Sequence, residues 1–320
     1  MRLIRGLGSA GGRAFGEVQG AVVTIGNFDG LHRGHQAVLE RLLTVAAEHA
    51  APPVLLTFEP LPREYFAAHA GAPPPPGRLQ RLRDRLVTLR DAGLDAVWIL
   101  RFDARLASQP AAEFVDQVLH RRLGARHVLV GDDFRFGRGR EGDQMLLQAE
   151  GARLGFEVES TPTVADAEGR ISSTRVRAAA LAGDFAQVAE LLGRPYRLHG
   201  RVAHGEKRGR TIGFPTANVR LGRWPLALRG VYAGWLWRAS GEALPGVANI
   251  GWRPTVDGTE QRLEVHVLEG QPELYGEAVC FEPVAQVREE QRFDGLDALR
   301  AQIARDVETA RAHLAAIPHT

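Results

Sequence analysis

Ala21-Val-Val-Thr-Ile-Gly-Asn-Phe-Asp-Gly-Leu-His-Arg-Gly-His35 is the stretch from which the fold is read. Ala21 to Ile25 is a short, β-branched apolar run, which predicts a buried strand. Gly26 and Gly30 allow a tight turn, because glycine reaches positive φ at little cost. From Gln36 the period changes: Val38, Leu39, Leu42, Leu43 and Ala46 recur at helical spacing, with Glu40, Arg41, Thr44 and Glu48 between them. The element is therefore strand, glycine turn, helix. Free backbone N–H groups at such a helix start attract phosphate. His32 and His35 are three apart and share one face at that start, where imidazoles can hydrogen-bond or protonate phosphoryl oxygens. Gly34, with no side chain, lets a nucleotide approach the backbone. On its own, His-x-Gly-His also reads as a polar helix cap with two solvated histidines.

Taken whole and set between strand and helix, Gly26-Asn-Phe-Asp-Gly-Leu-His-Arg-Gly-His35 resembles the nucleotidyltransferases that transfer AMP or CMP from a nucleoside triphosphate. Within them it is most similar to the adenylyltransferase half of the bacterial bifunctional riboflavin kinase/FAD synthetase family. The resemblance implies that Gly26, Asn27, Phe28, Asp29 and Gly34 bind ATP and that His32 and His35 act on it.

At 320 residues the chain has room for two domains, each large enough for its own core. Hydrophobic content of 44% and charged content of 24% are ordinary for a soluble globular protein. A net charge of +2 argues for neither a nucleic-acid nor a membrane partner. Cys280 is the single cysteine, which excludes an intrachain disulfide and a cysteine zinc cluster. Met1 to Gly16 is glycine-rich without the apolar core of a secretory signal, and no apolar run approaches the ~20 residues that span a bilayer. The expected compartment is the cytoplasm.

Val54 to Phe58 is a second apolar strand, ended by Glu59-Pro-Leu-Pro62. Ala72 to Gly77 contains four consecutive prolines, a stiff loop or polyproline II piece that also reads as an SH3-type ligand. Leu79, Leu82, Leu86 and Leu89 mark an arginine-rich amphipathic helix that stops at Gly93. Ala96 to Leu100 reads as a strand, Ala111 to Leu123 as a helix and His127 to Val130 as a strand. This alternation, from residue 21 to about 160, predicts a parallel sheet with helices on both faces. Ligands of such sheets sit beyond the carboxyl ends of the strands. Gly26-Asn-Phe-Asp and Gly131-Asp-Asp-Phe-Arg-Phe-Gly137 both follow strands at that edge. The second is either a surface turn or, by its likeness to the same synthetases, part of their site.

In Ile171-Ser-Ser-Thr-Arg-Val-Arg177, Ser172 or Ser173 can cap a helix running through Ala182. Hydroxyls, helix N–H groups and arginines together also suit a leaving pyrophosphate. The string is similar to the Ile-Ser-Ser-Thr-x-x-Arg motif of His-x-Gly-His nucleotidyltransferases. That similarity implies that Ser173, Thr174 and Arg177 hold the β- and γ-phosphates.

Around Leu191-Leu-Gly-Arg-Pro195 the composition shifts, and the expected domains are 1–190 and 191–320. Beyond lie short β-rich runs at Tyr196 to Val202, Val231 to Trp237, Leu263 to Leu268 and Ala278 to Phe281. Turn residues separate them, which suggests a small antiparallel barrel or sandwich. A last helix starts near Gly295, with Leu296, Leu299, Ile303, Val307, Ala310 and Leu314 on one stripe.

His204-Gly-Glu-Lys-Arg-Gly-Arg-Thr-Ile-Gly-Phe-Pro-Thr-Ala-Asn218 is the second dense signal. Gly205, Gly209 and Gly213 make a loop whose N–H groups can cradle phosphates. Lys207, the chain's one lysine, adds positive charge with Arg208 and Arg210. No Gly-Lys-Ser/Thr closes the loop, so it is not a Walker A loop. Thr216 and Asn218 are oxygen ligands of the kind Mg²⁺ accepts beside ATP phosphates. The same residues also read as an exposed basic hairpin that touches nucleic acid. Leu263, Val265 and Val267 alternate with Glu264 and His266, giving one apolar face and one bearing an acid and an imidazole.

Pro215-Thr-Ala-Asn218, Gly230-Val-Tyr-Ala233, Asn249-Ile-Gly-Trp-Arg-Pro-Thr255 and Leu263-Glu-Val-His266, in that order, resemble bacterial riboflavin kinase. The resemblance implies that Thr216 and Asn218 serve the metal and that Glu264 is the base. Two departures stand out. Many relatives carry histidine between the prolines of Glu-Pro-x-Pro, where this chain has Leu61. After Leu268 comes Glu269-Gly-Gln-Pro-Glu-Leu-Tyr275 in place of an Asp-Phe pair.

The combined expectation is an α/β nucleotidyltransferase domain followed by a β-barrel kinase domain with a C-terminal helix. The kinase converts riboflavin to FMN with ATP and Mg²⁺. The adenylyltransferase joins FMN to AMP from a second ATP, giving FAD and pyrophosphate. The alternatives are one degenerate half, or a flavin-sensing binding protein that touches RNA through its arginines.

Overall fold

In the computed structural model, which describes residues 1–6, 16–69, 74–203, 213–221, 224–255 and 258–317, Val22–Ile25 form strand β2 with every side chain buried. Burial on both faces belongs to the middle of a parallel sheet, where helices cover each side. The strands are β1 (Arg2–Arg5), β2, β3 (Pro53–Glu59), β4 (Ala96–Arg101), β5 (His127–Gly131) and β6 (Glu157–Thr161). They form one six-stranded parallel sheet in the order β1-β4-β3-β2-β5-β6. From β2 the chain winds one way through β3 and β4, then returns to the other side for β5 and β6. The strand order therefore reverses between β2 and β5, and in open sheets of this kind ligands bind beyond the carboxyl ends of the strands at such a switch point. Gly26–Asp29 and Gly131–Gly137 both leave the sheet at this edge.

Helix α1 (Arg33–Glu48) follows the turn and buries Leu39, Leu42, Val45 and Ala46. Val38, expected on the apolar stripe, is only partly buried, and Val45 takes its share of the core. Helix α2 is Pro62–His69, and α3 runs Leu82–Asp91. The α3 helix starts later than the leucine spacing suggests, because Leu79 is buried ahead of it in a bend at 79–80. Helix α4 (Ala111–Phe114) continues as a π-helical turn, Val115–His120, rather than as one regular helix. It supplies Phe114, Val115, Val118 and Leu119 to a core shared with Val23, Ile25, Val54, Leu56, Trp98, Val128 and Val130. Helix α5 (Gln144–Leu154) precedes β6.

The chain divides into two compact units, 1–76 with 85–171, and 77–84 with 172–320. The packing boundary thus lies ahead of the composition shift at 190/191. Helices α6 (Ser173–Leu181) and α7 (Phe185–Leu192) pack on each other, and α7 packs on a barrel strand. Segment 77–84 is tied in by main-chain bonds: Arg78 N–H donates to the Pro225 carbonyl at 2.8 Å, and Ala227 N–H to that of Arg78 at 2.8 Å.

Beyond β6 a short antiparallel pair, β7 (Ala165–Asp166) and β8 (Gly169–Arg170), leads toward the second unit. That unit is built on β9 (Leu198–Ala203), β10 (Ala217–Arg220), β11 (Gly230–Arg238), β12 (Ala243–Thr255), β13 (Gly258–Val267) and β14 (Ala278–Arg288). These close an antiparallel barrel in the order β10-β13-β12-β11-β14-β9. Leu263 and Val265 point into the core, and Glu264 between them points out. Helix α8 (Leu296–Ala316) lies against β11, β12 and β14. Its buried positions are Asp306, Ala310 and Leu314, whereas Leu296 is 68% exposed, so the expected stripe is covered only toward its C-terminal end.

Candidate functional site

The glycine turn is held from three directions. His32 is the N-cap of α1, and its Nδ1 accepts the His35 N–H at 3.3 Å. A ring nitrogen that accepts carries no proton, so the His32 proton sits on Nε2, which is then a donor. The His32 and His35 rings stack at 3.7 Å between centroids, and Phe28 lies 4.7 Å from His35. A Cβ at Gly34 would fall 3.1 Å from His32 Nδ1 and 3.3 Å from the Ile171 carbonyl oxygen. A side chain there would crowd the His32 ring, so glycine eases the cap's own packing besides leaving room for any ligand. The turn's left-handed residues are Phe28 (φ 49°), Gly30 (φ 86°) and Leu31 (φ 45°), and not Gly26. Gly26 instead makes room, since a Cβ there would meet the Phe28 ring at 3.0 Å.

Two arginines that sequence reasoning did not single out brace this turn. Asp29 is buried, and Arg63 Nη2 reaches its Oδ2 at 2.9 Å. Arg85 is fully buried, and its Nη1 donates to the Asn27 carbonyl at 2.5 Å. Arg63 follows Glu59-Pro-Leu-Pro62, so the segment with the unusual Leu61 still serves the turn. Leu61 is itself core, and its N–H donates to Glu64 Oε2 at 2.8 Å. Asn27 keeps its side chain in solvent. In the loop after β5, Phe134 and Phe136 stack at 5.3 Å, and Arg170 pairs with Asp133 at 2.9 Å.

In the second unit, Ser172 rather than Ser173 caps α6, its Oγ accepting the Arg175 N–H at 3.3 Å. Ser173 and Thr174 occupy the first helical turn. Arg177 is buried, and it donates from Nε to the Gly77 carbonyl at 2.8 Å and from Nη1 to that of Ser173 at 3.1 Å.

On the barrel, Asn218 of β10 stands directly opposite Glu264 of β13, and Glu264 directly opposite Asn249 of β12. Directly opposed residues have Cβ atoms about 4.5–5.5 Å apart, so the three form one polar row. Asn249 entered sequence reasoning only as the start of a motif; the strand register gives it a place beside Glu264. Asn218 Nδ2 donates to the Thr216 carbonyl at 3.3 Å, which leaves its Oδ1 as the group able to meet a cation. His266 Nδ1 lies 2.8 Å from the Pro215 carbonyl and fixes the segment that carries Thr216. A cleft of about 480 Å³ opens beside Thr216, lined also by Gly213, Val202, Gln271, Glu273 and Tyr275. The altered loop after Leu268 forms one wall of that cleft. Gly205, Lys207, Arg208, Gly209 and Arg210 lie outside the described residues.

A parallel sheet with a His-x-Gly-His turn at its switch point, followed by a closed barrel with an Asn-Glu-Asn row, defines a two-domain phosphoryl- and nucleotidyl-transferring enzyme. Two family models match in the same order: FAD synthetase over residues 15–175 and riboflavin kinase over 192–314. The bifunctional riboflavin kinase/FMN adenylyltransferase of Escherichia coli K12 is 47% identical over 97% of both chains. That of Pseudomonas fluorescens is 46% identical over the full length of both. A crystal structure described as a macrolide-efflux protein from Streptococcus pneumoniae is 30% identical, with a TM-score of 0.73, covering 97% of this chain and 99% of that one. The chain belongs to the bifunctional riboflavin kinase/FMN adenylyltransferase family, and it is an enzyme of FMN and FAD synthesis whose substrates are riboflavin, FMN and ATP. Among the described residues no helix is long and apolar enough to cross a membrane.

Proposed function

We propose that the two reactions divide between the two halves, adenylylation in 1–190 and phosphorylation in 191–320, with the residues in the following roles. For adenylylation, an FMN phosphate oxygen attacks the α-phosphorus of ATP in line, the new P–O bond forms and pyrophosphate leaves. No covalent enzyme intermediate is needed, so positioning and charge stabilisation carry the rate. His32 donates from Nε2 to an α-phosphoryl oxygen, and His35 backs its ring. Gly26, Asn27, Phe28, Asp29 and Gly34 shape the ATP side of the turn. Ser173 and Thr174 serve the β- and γ-phosphates, with Arg177 bracing them through the Ser173 carbonyl.

For phosphorylation, Glu264 takes the proton of the riboflavin 5′-hydroxyl as its oxygen attacks the γ-phosphorus and ADP leaves. Two neutral oxygen donors, Thr216 and Asn218, facing a carboxylate fit Mg²⁺, which binds through few protein ligands plus substrate phosphates. Bound there, it would neutralise phosphate charge during transfer. Gly205, Lys207, Gly209, Arg210 and Gly213 form the phosphate loop. The observation that carries this reading is the register of Asn218, Glu264 and Asn249 across three adjacent strands. The lone, half-buried Cys280 suits the reducing cytoplasm, the proposed compartment.

Neither Thr216 nor Asn218 carries charge, so the kinase is expected to need the metal. Riboflavin and ATP incubated with excess EDTA, followed by flavin chromatography, should yield no FMN. FMN formed at the full rate under those conditions rules the metal role out.

A further inference from the structure

We propose that the amino edge of the parallel sheet carries a divalent transition-metal site, of the class that Zn²⁺ fills, made by His49, His127 and Glu157. These three lie at the edge opposite the glycine turn. His127 and Glu157 open the adjacent strands β5 and β6 and are partners in register. His49 is the C-cap of α1. One ligand atom from each of the three lies within 4.8 Å of the others, a grouping of metal-ligand type among the described residues.

His127 is the telling residue. It is 6% exposed, and neither of its ring nitrogens makes a hydrogen bond. Buried polar atoms are nearly always satisfied, so an imidazole with both nitrogens unmet calls for a cause. Each nitrogen instead faces a carboxylate at 3.4 Å: Nδ1 faces Glu157 Oε2 and Nε2 faces Glu159 Oε2. That distance is long for a hydrogen bond. It matches the edge of a tetrahedron whose metal–ligand bonds are 2.0–2.1 Å, about 3.3–3.4 Å. The His49 ring centroid lies 5.7 Å from that of His127, with the planes 57° apart.

The surroundings complete the pattern. Glu159 is held by Arg41 through bonds of 2.8 and 2.9 Å. Glu159 thus stands 3.4 Å from Nε2, on the side of the ring away from the metal at Nδ1, where a carboxylate orients a ligating histidine once that contact closes to hydrogen-bond length. Glu48 also approaches Arg41, at 3.7 Å. Two imidazoles with one carboxylate select a zinc-class ion over Mg²⁺, which prefers oxygen alone. With three protein ligands, the fourth position goes to water. The ion would staple the far end of α1 to β5 and β6, a structural role at a distance from the histidine pair at the start of that helix.

The test uses the untagged full chain, stripped with a chelator and free of nucleotide. Zinc is titrated against a chromophoric chelator for the parent chain, His49→Ala and Glu157→Gln. Both replaced side chains are solvent-accessible, so the variants should fold. The expected result is one equivalent of Zn²⁺ bound by the parent, at least tenfold weaker binding in each variant, and a zinc-dependent rise in melting temperature in the parent alone. No zinc bound at micromolar free concentration overturns the proposal. So does binding that both variants leave unchanged.

Discussion

Arg63 and Arg85 show what a single residue does for the glycine turn proposed to serve adenylylation. Each acts across many positions of sequence, Arg63 on Asp29 and Arg85 on Asn27. No local pattern announces such a contact, which is why the turn's own residues were legible and its braces were not. The one available signal was position: Arg63 stands just after Glu-Pro-x-Pro, a segment that family resemblance had already marked. Arg63→Ala should loosen Asp29 and slow FMN adenylylation by up to about 10²-fold, since small misplacements at a reacting centre are that costly. Riboflavin phosphorylation should be untouched. Steady-state rates with FMN and with riboflavin as separate substrates measure both, and an equal loss in each would show a general folding defect instead. Cys280 offers a second check at this scale. Burial pushes its thiol up to about 12. A free thiol titrates near 8.5, so thiolate in the native protein is roughly a thousandfold scarcer. Iodoacetamide should modify the native chain about 10³ times more slowly than the guanidinium-unfolded chain at the same pH. As the single cysteine, its labelling is read directly by mass; equal rates would contradict the burial.

The elements that sequence reasoning found are those whose pattern is local. Strand β2, the glycine turn and α1 were legible because an apolar run, a change of period and a cap lie within one continuous stretch. Strand β12 was missed because Pro245, Gly246 and Pro254 read as turn residues inside what is an extended strand. Its pairing with β11 and β13 overrides that local preference. Strand β1 was missed because an edge strand with mostly exposed residues has no apolar run. Helix α8 shows the opposite error. Its leucine and isoleucine spacing predicted a stripe along the whole helix, yet its most specific anchor is a charge. Asp306 is buried and receives Arg288 at 2.8–3.0 Å, with Gln302 donating to it at 2.8 Å. Removing one partner of a buried pair leaves the other uncompensated. Asp306→Ala should therefore destabilise the barrel unit by about 3 kcal/mol. At 2–4 °C per kcal/mol for a unit of this size, its melting transition should fall by about 6–12 °C. Differential scanning calorimetry measures this. A shift of under a degree would mean that Arg288 finds water or another acid when Asp306 is gone.

At the scale of the whole molecule, the question is whether two chemistries in one chain are separable. The glycine turn and its histidines belong to the first compact unit, and Asn218, Glu264 and Asn249 to the second. No side chain serves both proposed sets, so mutations should act independently, as they do for residues that share no partner. Glu264→Gln keeps the shape of the row but removes the base. Loss of a general base costs ~10²–10⁴ in rate, or roughly 2.7–5.4 kcal/mol of barrier. This variant should leave riboflavin unphosphorylated yet convert supplied FMN to FAD at the parent rate. Replacing His32 and His35 together by Ala removes the Nε2 donor and the ring stacked on it, and leaves the barrel as it was. That variant should turn riboflavin into FMN and stop there. Chromatography of the flavins over time separates riboflavin, FMN and FAD, so both halves of the pattern are read in one assay. Mixing the two variants adds a stronger demand. If FMN made by one molecule can be used by another, the mixture should regain FAD formation from riboflavin, with a lag while free FMN accumulates. A Glu264 variant that folds but fails on FMN, or a histidine variant that fails on riboflavin, would show that one half depends on the other. The assignment of adenylylation to 1–190 and of phosphorylation to 191–320 would then have to be abandoned.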